Sequence, residues 1–280
     1  FLVIFSQCNN AEPYRAAQNK LLTELLEAES DVELVIFDGQ ADAAKQISQI
    51  ENAIRQKPDL LIVAPLQRDS LTKVMGEAMD AGIPTICLER DIVKPNYTTY
   101  IRCDNREIGQ LAGEWIVEYL TKKNGSPKGS LVEIQGMAGV EGAINRHAGA
   151  HDILGKYPDI KVVHDCTGNW FQPEAMDRMA EALNANADID VVYAHNDPMA
   201  YGAYLAAKEK GRAKDIAFVG VDGLANEGAK YVHDGVLGVT FEYPLCVDKA
   251  TEIGLKLLRE PGFTPEKSYL MASRIILPGE

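Results

Sequence analysis

The sequence predicts an α/β protein of two doubly wound, Rossmann-like parallel-sheet domains joined by a three-segment hinge. Three observations lead there. Short apolar, β-branched runs alternate with amphipathic stretches of about 10–15 residues, the pattern of βαβ units. That alternation runs through about Cys103 and then starts again. The 280 residues also exceed one typical domain and suit two of about 100–150 residues each.

Taken in order, Phe1–Ser6 reads as a strand. Pro13 pre-sets the first turn of a helix to about Glu29, with Ala17, Leu21, Leu22, Leu25 and Leu26 on one face. Strand Val32–Asp38 precedes a helix over Ala41–Gln56. Strand Leu60–Ala64 precedes one opened by Asp69-Ser70 and closed by Gly82. Thr85–Leu88 and Thr98–Cys103 are further strands. They are apolar along nearly their whole length, as parallel strands covered on both faces must be.

The second series begins with a helix over Arg106–Lys122 and the loop Lys123–Gly129. It continues with strand Ser130–Gln135, helix Gly142–Lys156, strand Ile160–Asp165 and helix Pro173–Asn184. Strand Val191–Ala194, helix Pro198–Lys210, strand Ile216–Val221, helix Asn226–Asp234 and strand Gly238–Phe241 complete it. Helix Cys246–Leu258 and strand Ser273–Leu277 are too little for a third domain. The simplest accounting returns the helix to the first lobe (1–103 with 242–270) and the strand to the second (104–241 with 271–280). The chain then crosses near Cys103–Asn105, Thr240–Glu242 and Tyr269–Ala272, and such parallel crossings restrict motion to a hinge bend around a cleft between the lobes.

Composition narrows the function. Against 28 basic residues stand 41 acidic ones, a formal charge of −13 that repels phosphate backbones and anionic membranes and argues against nucleic-acid binding. No apolar run approaches the roughly 18–20 residues that span a bilayer. The five cysteines are far apart, with no C-x-x-C, so a zinc site is not expected and all five read as structural; an oxidising compartment would permit one disulfide.

Ligands of open α/β sheets sit outside the carboxyl ends of the strands, so the polar residues there are the candidates. The first lobe offers Ser6, Glu12, Tyr14, Arg15, Gln67, Glu89 and Arg90; the second offers Arg146, Trp170, Asn196 and Asp222, and Glu242 stands at the crossing that follows the last of its strands. Carboxylate, amide and guanidinium groups pair with hydroxyls, and Tyr14 and Trp170 supply flat apolar faces for the C–H side of a sugar ring. Other readings stay open. Glu89-Arg90 also fits a surface ion pair, Asn196-Asp197 a helix cap, Asp222-Gly223 a plain turn and Trp170 an ordinary half-buried aromatic. Arg15 and Arg146 open helices, where a cation meets the unfavourable dipole end, so an anion such as Glu12, Glu89 or Asp222 is expected beside them.

Enzyme signatures are missing. The Gly136–Gly142 segment has G-x-x-G-x-x-G spacing rather than the dinucleotide G-x-G-x-x-G, and there is no P-loop and no G-x-S-x-G elbow. His147 and His151 form an i,i+4 pair, but no Glu follows the first His as in H-E-x-x-H. Neither a metal nor any other cofactor is expected.

Several phrases, in their order and spacing, carry a resemblance. They are Phe37-Asp38-Gly39-Gln40-Ala41-Asp42, Asp59-Leu60-Leu61-Ile62-Val63-Ala64-Pro65, Gly82-Ile83-Pro84, Glu133-Ile134-Gln135-Gly136, Ala194-His195-Asn196-Asp197-Pro198-Met199-Ala200 and Val219-Gly220-Val221-Asp222-Gly223. Over essentially its whole length the chain resembles the type I periplasmic binding proteins. The resemblance implies a monomeric sugar receptor of an ABC importer, which closes over its ligand and docks on permease subunits. It implies a ring held by Glu89, Arg90, Arg146, Asn196, Asp222 and Glu242 and stacked by Tyr14 and Trp170. Glu12-Pro13-Tyr14-Arg15 stands where ribose binders carry Asn-Pro-Phe-Phe, Glu89-Arg90 where they carry Asp-Arg, and Glu242 where they carry a glutamine. With the Phe5-Ser6-Gln7 opening, these departures look more like the galactofuranose-binding branch, so the expected ligand is a furanose, a related small sugar or a sugar alcohol. The location implied is the periplasm, or a lipid-anchored extracellular site, with any signal peptide lying outside this sequence. A sensor or chemoreceptor partner and a repressor effector core of the same fold are the alternatives; a sugar-modifying enzyme would need glycines or a catalytic constellation that are not found.

Overall fold

Residues 1–279 are described in a computed structural model. The chain divides into two units: Phe1–Cys103 with Leu245–Met271, and Asp104–Pro244 with the segment from Ala272 onward. It passes between them at Cys103–Asp104, Pro244–Leu245 and Met271–Ala272.

The first unit contains β1 (Leu2–Gln7), α1 (Pro13–Glu27), β2 (Glu33–Asp38), α2 (Ala43–Gln56), β3 (Leu60–Val63), α3 (Arg68–Asp80), β4 (Thr85–Leu88) and β5 (Thr99–Cys103). The second contains α4 (Asn105–Asn124), β6 (Gly129–Gln135), α5 (Glu141–Leu154), β7 (Ile160–Thr167), α6 (Gln172–Ala185), β8 (Val191–Ala194), α7 (Asp197–Glu209), β9 (Ala217–Asp222), α8 (Gly228–His233) and β10 (Val239–Glu242). Then α9 (Val247–Arg259) and β11 (Ser268–Met271) return to the first unit, and β12 (Ile275–Ile276) to the second.

Each unit has one six-stranded sheet, and the two share a topology: β11-β5-β4-β3-β1-β2 and β12-β10-β9-β8-β6-β7. The pairs are parallel except β10 with β12. In both, strand order reverses at the first strand of the series, between β1 and β3 and between β6 and β8, which is where doubly wound folds open a crevice at the strands' carboxyl ends. Central strands β3, β4 and β8 are buried at every residue, because helices cover both faces. The edge strands β2 and β7 are half covered, which is why β7 tolerates Lys161 and Asp165.

Local chemistry sets the helix starts. Pro13 occupies the first turn of α1; Asp42 caps α2 by accepting from the Ala44 and Lys45 N–H groups at 2.8 and 3.1 Å. Asp104 caps α4 through Arg106 and Glu107, both at 3.0 Å. Helices α4 and α5 meet backbone to backbone. A methyl on Gly149 would lie 2.1 Å from the Arg106 carbonyl oxygen, and one on Gly109 2.3 Å from that of Arg146. This contact seats the middle of α5 against the start of α4.

Three sequence expectations change. Glu242 belongs to the second unit, because β10 runs one residue further than expected and pairs Glu242 with Asp222. The crossing expected over Tyr269–Ala272 falls instead at Met271–Ala272, because Ser268–Met271 is strand β11 beside β5, a four-residue edge strand too short to stand out as a run. The buried face of α1 is not the leucine stripe alone: Tyr14, Arg15 and Gln18 are buried with Leu22 and Leu26. No disulfide joins the cysteines, although Cys103 Sγ lies 3.7 Å from Cys246 Sγ.

Candidate functional site

In the first unit the loop after β1, the first turn of α1 and the loop after β4 bring four charged side chains together. Arg15, only 2% exposed, donates from Nη1 to Glu89 Oε2 at 2.6 Å and to Gln18 Oε1 at 3.0 Å. Its guanidinium also lies 5.1 Å from the Tyr14 ring centre. Burial opposes its charge, but Cys8, Glu89 and Glu12 outweigh it and raise its pKa further. Arg90 is the second cation, 3.8 Å from Glu89 and 4.0 Å from Glu12, and it donates to the Leu66 carbonyl at 3.3 Å. Glu12 accepts from the Asn9 amide at 2.6 Å. Glu89 has a left-handed backbone, φ 65°, pinned because its N–H donates to Ile101 O and its carbonyl accepts from the Tyr100 hydroxyl.

The second unit holds a smaller counterpart around Arg146, on α5. Arg146 Nε donates to Asn105 Oδ1 at 2.9 Å, its Nη1 donates to the His195 carbonyl, and the same nitrogen lies 3.9 Å from Asp222 Oδ1. The guanidinium stacks 4.4 Å from the Tyr243 ring centre and 5.7 Å from that of Trp170. Asn105 also donates to Glu141 Oε2 at 2.8 Å and to the Tyr243 hydroxyl at 3.2 Å. The Trp170 ring lies across Gly136, where a methyl would meet it at 2.0 Å. Trp170 and Asp222 take positive φ, 76° and 124°, so strained backbone sits in both units at the same kind of place.

The sequence-derived candidates divide accordingly. Glu12, Tyr14, Arg15, Glu89 and Arg90 are buried together in one unit; Arg146, Trp170, Asn196 and Asp222 are buried in the other. The anions expected beside Arg15 and Arg146 are Glu89 and Asp222. Ser6 is fully buried, but Gln46 Nε2 reaches its hydroxyl and its carbonyl, both at 3.3 Å, so it braces the strand end. Gln67 is exposed at the start of α3 and joins no cluster. Glu242 pairs instead with Arg274, because the β10–β12 register sets them side by side. Asn196, not Asp197, caps α7: its Oδ1 accepts from Met199 N–H at 3.0 Å while its Nδ2 donates to the Trp170 carbonyl at 3.1 Å. Asp197 is fully buried and internal, accepting from Gly223 N–H at 2.7 Å and the Thr240 hydroxyl at 2.6 Å; burial raises its carboxyl to about 7.

Sequence reasoning missed Asn9, Gln18, Asn105 and Tyr243. Asn105 is the second residue after β5 and Tyr243 the first after β10, so the strand-end rule that found the others reaches both positions. Asn9 lies in the loop between the candidates Ser6 and Glu12, and Gln18 one helical turn beyond Tyr14.

The arrangement contains no nucleophile paired with a base. It offers guanidinium and carboxylate groups, held rigidly and beside aromatic rings, which suits gripping hydroxyls rather than reacting with them. Residues 3–258 match the model of the periplasmic binding protein domain. The chain is 32% identical to the galactofuranose-binding protein YtfQ of Escherichia coli K12 over 282 aligned positions, 98% of this chain and 87% of that protein. It is 30% identical to the ribose import binding protein RbsB of Salmonella typhimurium LT2, over 81% of this chain and 74% of that protein. A crystal structure of a galactofuranose-binding protein superposes with a TM-score of 0.92 at 31% identity, covering 99% of this chain and 95% of that one. Proteins of this kind bind ligands and are not enzymes, and this chain belongs to the periplasmic binding protein domain family.

Proposed function

We propose that the chain is the solute-binding protein of an ABC importer and captures a neutral furanose, a related small sugar or a sugar alcohol. The observation that carries this is the internal charge balance of the two buried clusters. Arg15 and Arg90 face Glu12 and Glu89 in one unit, and Arg146 faces Asp222 in the other. A site built for phosphate or carboxylate would hold an uncompensated cation; paired charges keep their remaining donors and acceptors for hydroxyl groups. The aromatic faces of Tyr14, Trp170 and Tyr243 supply the apolar complement. Selectivity follows from polar complementarity, since an epimer that leaves one buried group unpaired is rejected.

A single ligand engaging both clusters would stabilise a closed arrangement by its differential affinity for it, and that form would dock on permease subunits. The same reading places the protein outside the cytoplasmic membrane as a monomer. The test is calorimetry and thermal shift against furanose sugars, ribose, xylitol and other polyols, with sugar phosphates and amino acids as controls. At a hundredfold excess over the dissociation constant a true ligand adds about 2.7 kcal/mol of stability. A shift with a neutral polyol and none with phosphates supports the reading. Binding of only anionic or amino-acid ligands would overturn it.

A further inference from the structure

His147 and His151, one turn apart on α5, stand over Glu133 of β6, a residue the ligand clusters do not use. Glu133 is wholly buried, yet three imidazoles converge on it: His147 Nδ1 at 2.9 Å and His195 Nε2 at 3.1 Å from Oε1, and His151 Nε2 at 2.7 Å from Oε2. The rings of His147 and His151 lie 4.2 Å apart between centres, and one ligand atom from each of them and from Glu133 falls within 4.8 Å of the others. The sequence showed the histidine pair but no glutamate after the first histidine; the carboxylate comes instead from the strand beneath.

We propose that Glu133, His147 and His151 form a binding site for a divalent transition-metal cation of the zinc type. Two imidazole nitrogens and one carboxylate oxygen are a donor set for zinc, copper or nickel rather than for calcium or magnesium. Ligand atoms about 2.0–2.1 Å from a tetrahedral metal are about 3.3 Å from one another, so the rings, now on separate carboxylate oxygens with donor atoms within 4.8 Å of one another, must shift to share one ion. Both rings are free to do so, with side chains 37% and 35% exposed, and the same exposure leaves an approach for the ion and a fourth position for water. The proton balance is simple. A neutral ring moves its proton to the nitrogen facing away from Glu133, and a protonated ring releases one.

His195 supports the site without joining it. Its Nδ1 accepts from Gly136 N–H at 3.3 Å, so its Nε2 carries the proton and donates to Glu133 Oε1, fixing the carboxylate from behind. The protein's formal charge of −13 favours cation approach.

The inference is independent of the sugar reading. Chelator-stripped protein would be titrated with zinc chloride by calorimetry and with cobalt chloride by visible absorption. The expected result is one saturable ion per chain and a cobalt spectrum of nitrogen–oxygen tetrahedral type. His147→Gln and His151→Gln, both at partly exposed positions that should fold, should each weaken zinc binding at least about tenfold. Absence of one-to-one binding overturns the proposal, and so does binding that both variants leave unchanged. Glu133→Asp is a further probe, read for metal affinity only if its circular dichroism matches the parent protein.

Discussion

Replacing Gly149 by alanine sets two well-defined effects against each other. Mid-helix alanine is favoured over glycine by about 1 kcal/mol. Here, however, the new methyl would lie 2.1 Å from the Arg106 carbonyl oxygen and 2.9 Å from Gln110 N, both backbone atoms that cannot rotate aside. Restoring ordinary contact requires α4 and α5 to part by more than about 1 Å. Overpacking of this kind costs about 1–3 kcal/mol. The same separation stretches the 2.9 Å Arg146–Asn105 bond past hydrogen-bonding range, and a buried charged hydrogen bond contributes about 1.5–3 kcal/mol. The net expectation is a loss of about 2–4 kcal/mol. Gly142→Ala is the matched control, on the same helix but with nothing nearer than 3.7 Å, and should be neutral or stabilising by up to about 0.5 kcal/mol. Equilibrium urea unfolding followed by circular dichroism measures both. If Gly149→Ala unfolds at the same or higher urea concentration than Gly142→Ala, the claim that this helix contact positions Arg146 is wrong.

Other perturbations test other parts of the account. Glu89→Gln leaves Arg15 buried without its closest anion, which should cost about 3–5 kcal/mol and abolish sugar binding; urea unfolding that matches the parent protein would refute the buried-pair argument. Asp197 is raised in the folded state from 3.8 to about 7 by burial, so the native protein binds the extra proton. Its contribution is therefore full below about pH 4 and is lost as pH rises through 7, and the parent minus Asp197→Asn difference in unfolding free energy should fall over that window; a flat difference would show the carboxyl ionised throughout. Trp115→Phe leaves Trp170 as the sole indole of the chain's two, so its emission should shift on saturation with the cognate sugar, and an unchanged spectrum would remove Trp170 from the ligand. Gly136→Ala should displace the Trp170 ring and weaken the ligand at least about tenfold by calorimetry.

Much of this was legible in one dimension. The alternation of apolar runs and amphipathic stretches is a local property, and it located the strands that pair in both sheets except β11. That strand is short, edge-placed and exposed at alternate residues, so its four residues say nothing until β5 is beside it. The cost of placing an arginine near a helix start required an anion beside Arg15, and Glu89 answers it; Arg146 lies midway along α5 rather than at its start, so it is a buried charge there, and not the helix end, that Asp222 compensates. The same strand-end rule admitted Gln67, which follows β3 and turns to solvent, and Glu242, which ends β10 and pairs with Arg274.

What the sequence determined by itself, then, is periodicity, capping and the need for compensation, because these depend on neighbours within about four residues. Which groups meet was decided by closure of the chain over long separations. Arg15 finds Glu89 across 74 positions, Arg146 finds Asn105 across 41, and His195 finds Glu133 across 62. None of these partners has a local signature. Each is fixed only when parallel pairing sets the strand ends level and the helices, through contacts as close as Gly149 on Arg106, settle against them.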